Sequence, residues 1–122
     1  MAVERPLTQT EQQLFSPYFK AHTLKIVRII EGYVPFWLFQ RMSGVVVGHR
    51  IYLRVPLKPL HADLLYSAAN IELLAHELTH VEQYLSGMTI LKYLWASRCG
   101  YQNNPYEIEA YAKGAMVRAA YL

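Results

Sequence analysis

Two histidines and a glutamate form the string His76-Glu77-Leu78-Thr79-His80 in the strongest helical pattern of the chain. Histidines four positions apart on a helix lie one turn above one another, so both imidazoles can bind one Zn²⁺ ion. Glu77 follows the first histidine, where its carboxylate can hold a water at the metal and accept its proton. The string therefore predicts a zinc site with Glu77 as general base.

A catalytic zinc site also needs a third protein ligand, and its fourth position is left to water. No histidine follows His80, so a ligand further along the chain must be acidic or the single cysteine, Cys99, which we interpret as a buried or inert thiol. Glu82 follows His80 by only two positions, which rotates it away from the site, and we interpret it as a solvated surface charge. Glu107 and Glu109 begin a separate helix that can pack across the motif, and the spacing leaves both open as ligands.

The motif must sit on a helix, and residues 67–86 provide the pattern for one. Asn70 or Ser67 can cap its start, and Gly87 can end it. Its apolar residues recur at helical spacing and are expected to face the core. They are Ile71, Leu74, Ala75, Leu78, Val81 and Leu85.

Three further helices are expected. The first follows a cap at Thr8 or Thr10. Its apolar stripe consists of Leu14, Phe15, Tyr18 and Phe19. Residues 89–97 form a second helix, and residues 100–104 form a polar turn. Pro105 then suits the first position of a last helix, after an asparagine cap.

The strands are expected before the motif helix. Residues 23–30 are rich in β-branched side chains, and residues 44–55 form a hairpin around Gly48-His49-Arg50. Residues 36–42 fit a short helix or a loop. The order of the elements predicts an α+β domain with a small antiparallel sheet packed on helices, among them the motif helix. We interpret residues 1–122 as one domain.

Charge and hydropathy restrict the class of protein. The net charge is +3, and the basic residues are scattered, which argues against nucleic-acid binding. No apolar run has the length of a membrane span, and residues 1–6 lack the pattern of a signal peptide. We therefore expect a cytoplasmic protein, with export by a signal-independent route left open. A single cysteine also excludes an intrachain disulfide.

The segment LLAHELTHVEQ, residues 73–83, resembles the core of the gluzincin metallopeptidases, in which a downstream glutamate completes the zinc site. Many of these enzymes have E-x-x-A-D or E-x-x-x-D there, and this chain has EIEAY at residues 107–111. Alignment on Ala110 implies Glu107 as the third ligand, with Glu109 as the fallback. Tyr111 departs from the pattern, because the family often has an aspartate there that orients the first ligand histidine.

Residues 45–112 are also similar to a short bacterial gluzincin-like domain family of largely unknown function, in which a hairpin precedes an L-L-A-H-E-L-T-H-V helix. The resemblance implies Zn²⁺ on His76, His80 and Glu107. It also implies hydrolysis of peptide bonds in a peptide or protein substrate. The oxyanion formed during hydrolysis needs a hydrogen-bond donor. The candidates are Tyr101, Tyr106, Tyr111 and His49.

The substrate cleft is expected to be shallow, because only residues 81–122 follow the motif. A protein partner or a second copy of the chain can cover such a cleft. An extended substrate can pair with the edge of the strand at residues 51–55. Three alternatives stay open: a regulatory or protein-interaction module with a non-catalytic zinc site, a toxin-like or secretion-associated domain that acts on one protein, and a helical core without metal.

Overall fold

The computed structural model describes residues 4–35, 44–54 and 68–121. Within these ranges, short strands and helices come first and three helices follow. In chain order the elements are β1 (Glu4–Pro6), α1 (Gln9–Phe15), α2 (Ala21–Ile26), β2 (Arg28–Glu31), β3 (Gly44–Val47), β4 (Arg50–Leu53), α3 (Ala68–Leu85), α4 (Ile90–Ala96) and α5 (Pro105–Tyr121), with a turn of 3-10 helix at Tyr101–Asn103. The predicted α+β class is confirmed.

The four strands form one sheet in the order β1-β2-β4-β3. The hairpin predicted at residues 44–55 is confirmed as the antiparallel pair β3 and β4, with Gly48 in the positive-φ region at the turn. The sheet is mixed, however, so the prediction of a purely antiparallel sheet was wrong. Strand β2 pairs with the second strand of the hairpin, β4, which runs in the same direction. The sequence pattern also missed β1, a three-residue edge strand that ends in a proline.

The strand predicted at residues 23–30 was wrong over its first half, which belongs to α2. Glu82 of α3 explains the helix, because its carboxylate accepts hydrogen bonds from the backbone N–H of Lys20 and from the hydroxyl of Thr23, at 2.9 and 3.0 Å. It thereby satisfies a backbone group at the start of α2 that the helix itself leaves unpaired. Glu82 is therefore a half-buried link between α3 and α2, which corrects its interpretation as a solvated charge.

Helix α1 begins at the first of its two predicted caps. The Thr8 hydroxyl accepts a hydrogen bond from the Glu11 N–H at 3.1 Å, and the Glu11 carboxylate accepts one from the Thr8 N–H at 2.8 Å. Glu11 is buried, and its charge is balanced by the guanidinium of Arg5 at 2.9 Å. This reciprocal pair fixes the direction in which the chain leaves β1.

The motif helix α3 covers the core side of the sheet. Five of its six predicted core residues are fully buried there: Ile71, Leu74, Ala75, Leu78 and Val81. Leu85 is 48 % exposed, because it is the last residue of the helix and the described elements do not cover it. Asn70 is the third residue of α3 and is not its cap. The alternative cap Ser67 and the ambiguous residues 36–42 lie outside the described residues.

Helix α4 lies within the predicted range 89–97, and α5 begins after the predicted asparagine cap. Thr89 accepts a hydrogen bond from the N–H of Lys92, and Asn104 accepts one from the N–H of Tyr106. The buried Asn104 also donates its amide to the carbonyl of Tyr93, which ties α4 to the start of α5. Helix α5 packs along α3, and this pairing brings its first turn over the motif.

Candidate metal centre

Three potential metal ligands meet between α3 and α5. The Nε2 atoms of His76 and His80 lie 3.2 Å apart, and Oε1 of Glu107 lies 2.9 Å from the first and 3.1 Å from the second. All three side chains are buried. Within the described part of the chain, their ligand atoms form a group that could hold a metal ion. Ligand atoms around a tetrahedral zinc are about 3.3 Å apart, so the spacing fits one small cation.

Helical geometry explains why Glu107, and not Glu109, reaches the imidazoles. Glu107 shares one face of α5 with Ala110, Gly114 and Val117, and this face packs on α3. Glu109 is two positions further along, so its side chain leaves the helix on another side and is exposed. Its carboxylate instead accepts a hydrogen bond from the Gln83 amide at 2.7 Å.

The charges of the centre suit a divalent cation. Burial opposes ionisation of Glu107, but hydrogen bonds with His76, His80 and Tyr93 outweigh burial and hold the pKa of this carboxyl well below its usual range. Burial also acts to lower the pKa of His80, but its hydrogen bond with Glu107 and the nearby charge of Glu77 raise it. Two carboxylates beside two imidazoles make the centre attract positive charge, whether as protons or as a metal ion.

Glu77 lies beside the three ligands and is only 4 % exposed. Burial raises the pKa of its carboxyl, and the nearby imidazoles of His80 and His76 offset part of this effect. A carboxylate with a raised pKa is a stronger proton acceptor near neutral pH than an exposed one. The carboxyl group packs against Gly44 of β3, where a Cβ would lie 3.2 Å from Glu77 Cδ.

A narrow pocket opens onto this centre. About 40 Å³ of the pocket is open to water, against the ~10–15 Å³ that one water molecule needs. The pocket therefore has room for a few waters at the ligands and for a small chemical group. Strand β3 lines one side of the pocket. Besides the three ligands, the other lining residues are Glu77, Tyr84, Met88, Ile90, Tyr93 and Tyr101.

Strand β3 presents the edge of the sheet to the pocket. Among the described strands β3 pairs only with β4, whereas β4 lies between β2 and β3. The edge predicted at residues 51–55 was therefore wrong, because that strand is interior. The Tyr84 hydroxyl donates to the Val46 carbonyl at 3.0 Å, so the backbone groups of Val46 point away from β4. Gly44, two positions earlier, points its backbone groups the same way.

Two of the four predicted oxyanion donors lie near the ligands. Tyr101 lines the pocket, and its hydroxyl lies 3.3 Å from that of Tyr111. The ring of Tyr111 packs edge-on against His76 with 4.4 Å between ring centroids, but Tyr111 is half-exposed and is not part of the pocket lining. Tyr101 is therefore the predicted donor that the structure places at the pocket.

The other two predicted donors lie elsewhere. Tyr106 stacks on the ring of Tyr93 and faces a groove between α4 and α5. His49 is in the β3–β4 turn and faces a separate groove with Lys25 of α2. The structure therefore does not bring these two candidates to the pocket, and nothing in the local sequence pattern specified which end of each element faces the motif.

Two residues at the centre were missed from the sequence. The Tyr93 hydroxyl donates a hydrogen bond to Oε2 of Glu107, which is the carboxylate oxygen that does not face the imidazoles. Gln83 contacts the Nδ1 atom of His80 at 2.7 Å. The spacing of Gln83, three positions after His80 on one helix, is a signal that could have identified it. Tyr93 gives no such signal, because its contact joins two separate helices.

Comparisons with known proteins leave the assignment to the geometry. No family model, no curated protein and no solved structure matches this chain. None of the helices in the described residues is both long and apolar enough to span a membrane.

Proposed function

We propose that this protein is a zinc-dependent peptidase that hydrolyses peptide bonds in a peptide or protein substrate. The observation that carries the proposal is the buried convergence of His76, His80 and Glu107 beside a fourth buried side chain, Glu77. Two imidazoles, one carboxylate and room for water form the ligand set of catalytic rather than structural zinc sites.

The alternative of a non-catalytic zinc module gives Glu77 no role. Burying a carboxylate costs free energy unless it is compensated, and the burial of Glu77 raises its pKa. A site that only holds zinc would be more stable with an apolar residue there. The position of Glu77 in the pocket wall therefore favours the peptidase over the binding module.

In the proposed mechanism His76, His80 and Glu107 would hold the ion. Bound zinc would polarise the scissile carbonyl and acidify the attacking water. Glu77 accepts the proton of this water and then delivers it to the leaving amine. Tyr101, which also lines the pocket, is the candidate donor to the developing oxyanion.

No other described strand pairs with the outer edge of β3, so this edge gives an extended substrate a place to bind. The outward backbone groups of Gly44 can form strand-like hydrogen bonds with a peptide, and this residue contacts Glu77 directly. The carbonyl of Val46 already accepts the Tyr84 hydroxyl, so this end of the edge has one acceptor fewer. A partner that covers the shallow cleft is part of the proposal.

The test compares Glu77→Gln with wild type after zinc reconstitution, with quenched fluorogenic peptides as substrates. Loss of the general base is expected to lower the rate by at least about 100-fold, while elemental analysis still finds the same zinc content. Glu72→Gln is the matched control, because Glu72 is on the same helix but pairs with Arg118 at the surface. Equal measurable rates for the Glu77 variant and wild type would remove Glu77 as the general base, and no cleavage by zinc-loaded wild type would contradict the peptidase.

The ligand set has its own test. Glu107→Ala is expected to abolish zinc retention during gel filtration, whereas Glu109→Ala is expected to retain zinc. A wild-type chain that takes up no zinc from buffered solution would refute both the metal centre and the enzyme.

A further inference from the structure

Gln83 makes three polar contacts that link the candidate ligand His80 to α5. It lies on α3 one turn after His80 and is 8 % exposed. Its Oε1 atom is 2.7 Å from His80 Nδ1. Its Nε2 atom is 2.9 Å from the carbonyl oxygen of Tyr106 and 2.7 Å from a carboxylate oxygen of Glu109. The side chain is thus held at both ends.

The partners determine which end of the amide faces which way. A backbone carbonyl and an ionised carboxylate can only accept hydrogen bonds, so the group that faces Tyr106 and Glu109 must be the NH₂ group. The amide oxygen then faces His80, and an oxygen can bind the ring only if Nδ1 carries a proton. A neutral His80 therefore has its lone pair on Nε2, the atom next to Glu107.

We propose that Gln83, held by Glu109, is a positioning residue that fixes His80 in the Nδ1–H tautomer and keeps its Nε2 atom ready to bind a metal ion. This inference rests on the metal centre proposed above. Only an unprotonated ring nitrogen can ligate a metal, and the hydrogen bond at the other nitrogen decides which one that is. Glu109 thereby contributes to the centre without being a ligand.

The charge of Glu109 strengthens the same arrangement. A carboxylate that accepts from the amide NH₂ polarises the amide, and its oxygen becomes a better acceptor for the imidazole N–H. Hydrogen bonds to the outer nitrogen of a ligand histidine also increase its basicity at the metal. The chain Glu109, Gln83, His80 therefore supports both the orientation and the affinity of one ligand, and it joins the two helices that supply the site.

The first test reads the tautomer directly. NMR of ¹⁵N-histidine-labelled wild-type protein, without zinc and at alkaline pH, reports which ring nitrogen of His80 carries the proton. We expect the proton on Nδ1. A proton on Nε2 instead would overturn the inference, whether or not the protein binds zinc, so this measurement is independent of the proposed peptidase. A wild type that has the expected tautomer but takes up no zinc would refute the metal centre and the enzyme, and would leave only the control of the His80 tautomer by Gln83.

The second test measures zinc affinity by competition with a chromophoric chelator. Gln83→Met keeps the length of the side chain but removes both hydrogen-bonding ends, and we expect affinity to fall about 10–100-fold. Glu109→Gln retains an acceptor for the Gln83 amide, so its affinity should stay within about threefold of wild type, and Glu109→Ala should lie between the two. Gln13→Met, at an exposed position of α1, is the matched control and should change nothing.

A purely structural role for Gln83 makes a different prediction. It would lower the melting temperature while leaving the His80 tautomer and the zinc affinity as in wild type, and that result in a folded Gln83→Met protein would overturn the inference. If this variant does not fold, two other measurements test the inference in its place. They are the His80 tautomer of the wild type and the zinc affinity of Glu109→Ala relative to that of Glu109→Gln. Equal zinc affinity for Glu109→Ala and Glu109→Gln would then contradict the proposed role of the carboxylate.

Discussion

Replacing Gly114 with alanine tests whether the contact between α5 and α3 places Glu107 at the imidazoles. A Cβ at Gly114 would lie 2.9 Å from the backbone oxygen of Glu72 and 3.6 Å from Cβ of His76. Rotation of a side chain cannot relieve this contact, because the nearest atom belongs to the backbone. An ordinary contact begins near 3.4 Å, so the helices must separate locally by about 0.5 Å.

Two opposing effects set the change in stability. Overpacking of this size costs about 1–3 kcal/mol, whereas alanine is about 1 kcal/mol more favourable than glycine inside a helix. The free energy of unfolding should therefore fall by about 1 kcal/mol, a decrease of about 4 °C in melting temperature for a domain of this size. Glu107 lies two turns before Gly114 on the same face of α5. A shift of about 0.5 Å there is enough to weaken zinc binding, by about tenfold.

The assay combines thermal melting of the zinc-free protein with zinc titration against a competing chelator. Ala115→Gly is the control, because Ala115 is exposed and its change alters helix propensity without touching α3. This control should lose about 1 kcal/mol of stability and keep its zinc affinity. If Gly114→Ala binds zinc as tightly as wild type and melts at a higher temperature, the close contact does not position Glu107.

Three further outcomes test other parts of the molecule. In Gly44→Ala the new Cβ would press on the carboxyl group of Glu77. The peptidase rate should therefore fall about tenfold while the zinc content stays constant, and an unchanged rate would contradict the role of this contact. Free zinc at about 1,000 times its Kd should stabilise the fold by about 4 kcal/mol, and a melting temperature that a chelator does not lower would argue against the centre. Glu82→Ala removes the acceptor for Lys20 and Thr23 and should cost about 1–3 kcal/mol in chemical denaturation, whereas a loss of zinc affinity would show an unexpected link to the site.

Local sequence signals predicted the elements that carry the site. The histidine spacing and the Asn104-Pro105 pair specify helices through residues close to them in the chain, and these helices are observed. The glycine turn likewise identified the β3–β4 hairpin. Such signals work because capping and turn geometry involve neighbouring residues only.

Interactions between distant segments account for what the sequence did not predict. The β-branched Thr23 and Ile26 of α2 favour a strand, but a carboxylate from Glu82, 59 positions after Thr23, stabilises a helix there. The parallel pairing of β2 and β4 was not predicted, because parallel strands are not joined by a short turn that a sequence pattern can identify. The position of Tyr93 at Glu107 depends on how α4 packs against α5, which spacing within either helix does not specify.

The site residues show the same contrast between what local sequence signals predict and what depends on packing between distant segments. The preference for Glu107 over Glu109 agrees with the helical phase, because Ala110, Gly114 and Val117 mark the face of α5 that packs on α3. The oxyanion donors could not be chosen in this way, since each tyrosine depends on the packing of its own element. Zinc itself, the peptidase activity, the cytoplasmic location and a partner over the cleft stay predictions.

The division of the ligands between α3 and α5 has a consequence for a protein still being synthesised. A growing chain that has emerged only as far as α4 already contains both histidines and Glu77, but it lacks the carboxylate that completes the ligand set. In the proposed enzyme, cleavage therefore begins only after α5 has left the ribosome and docked. If the proposal holds, an unfinished copy cannot cleave its neighbours.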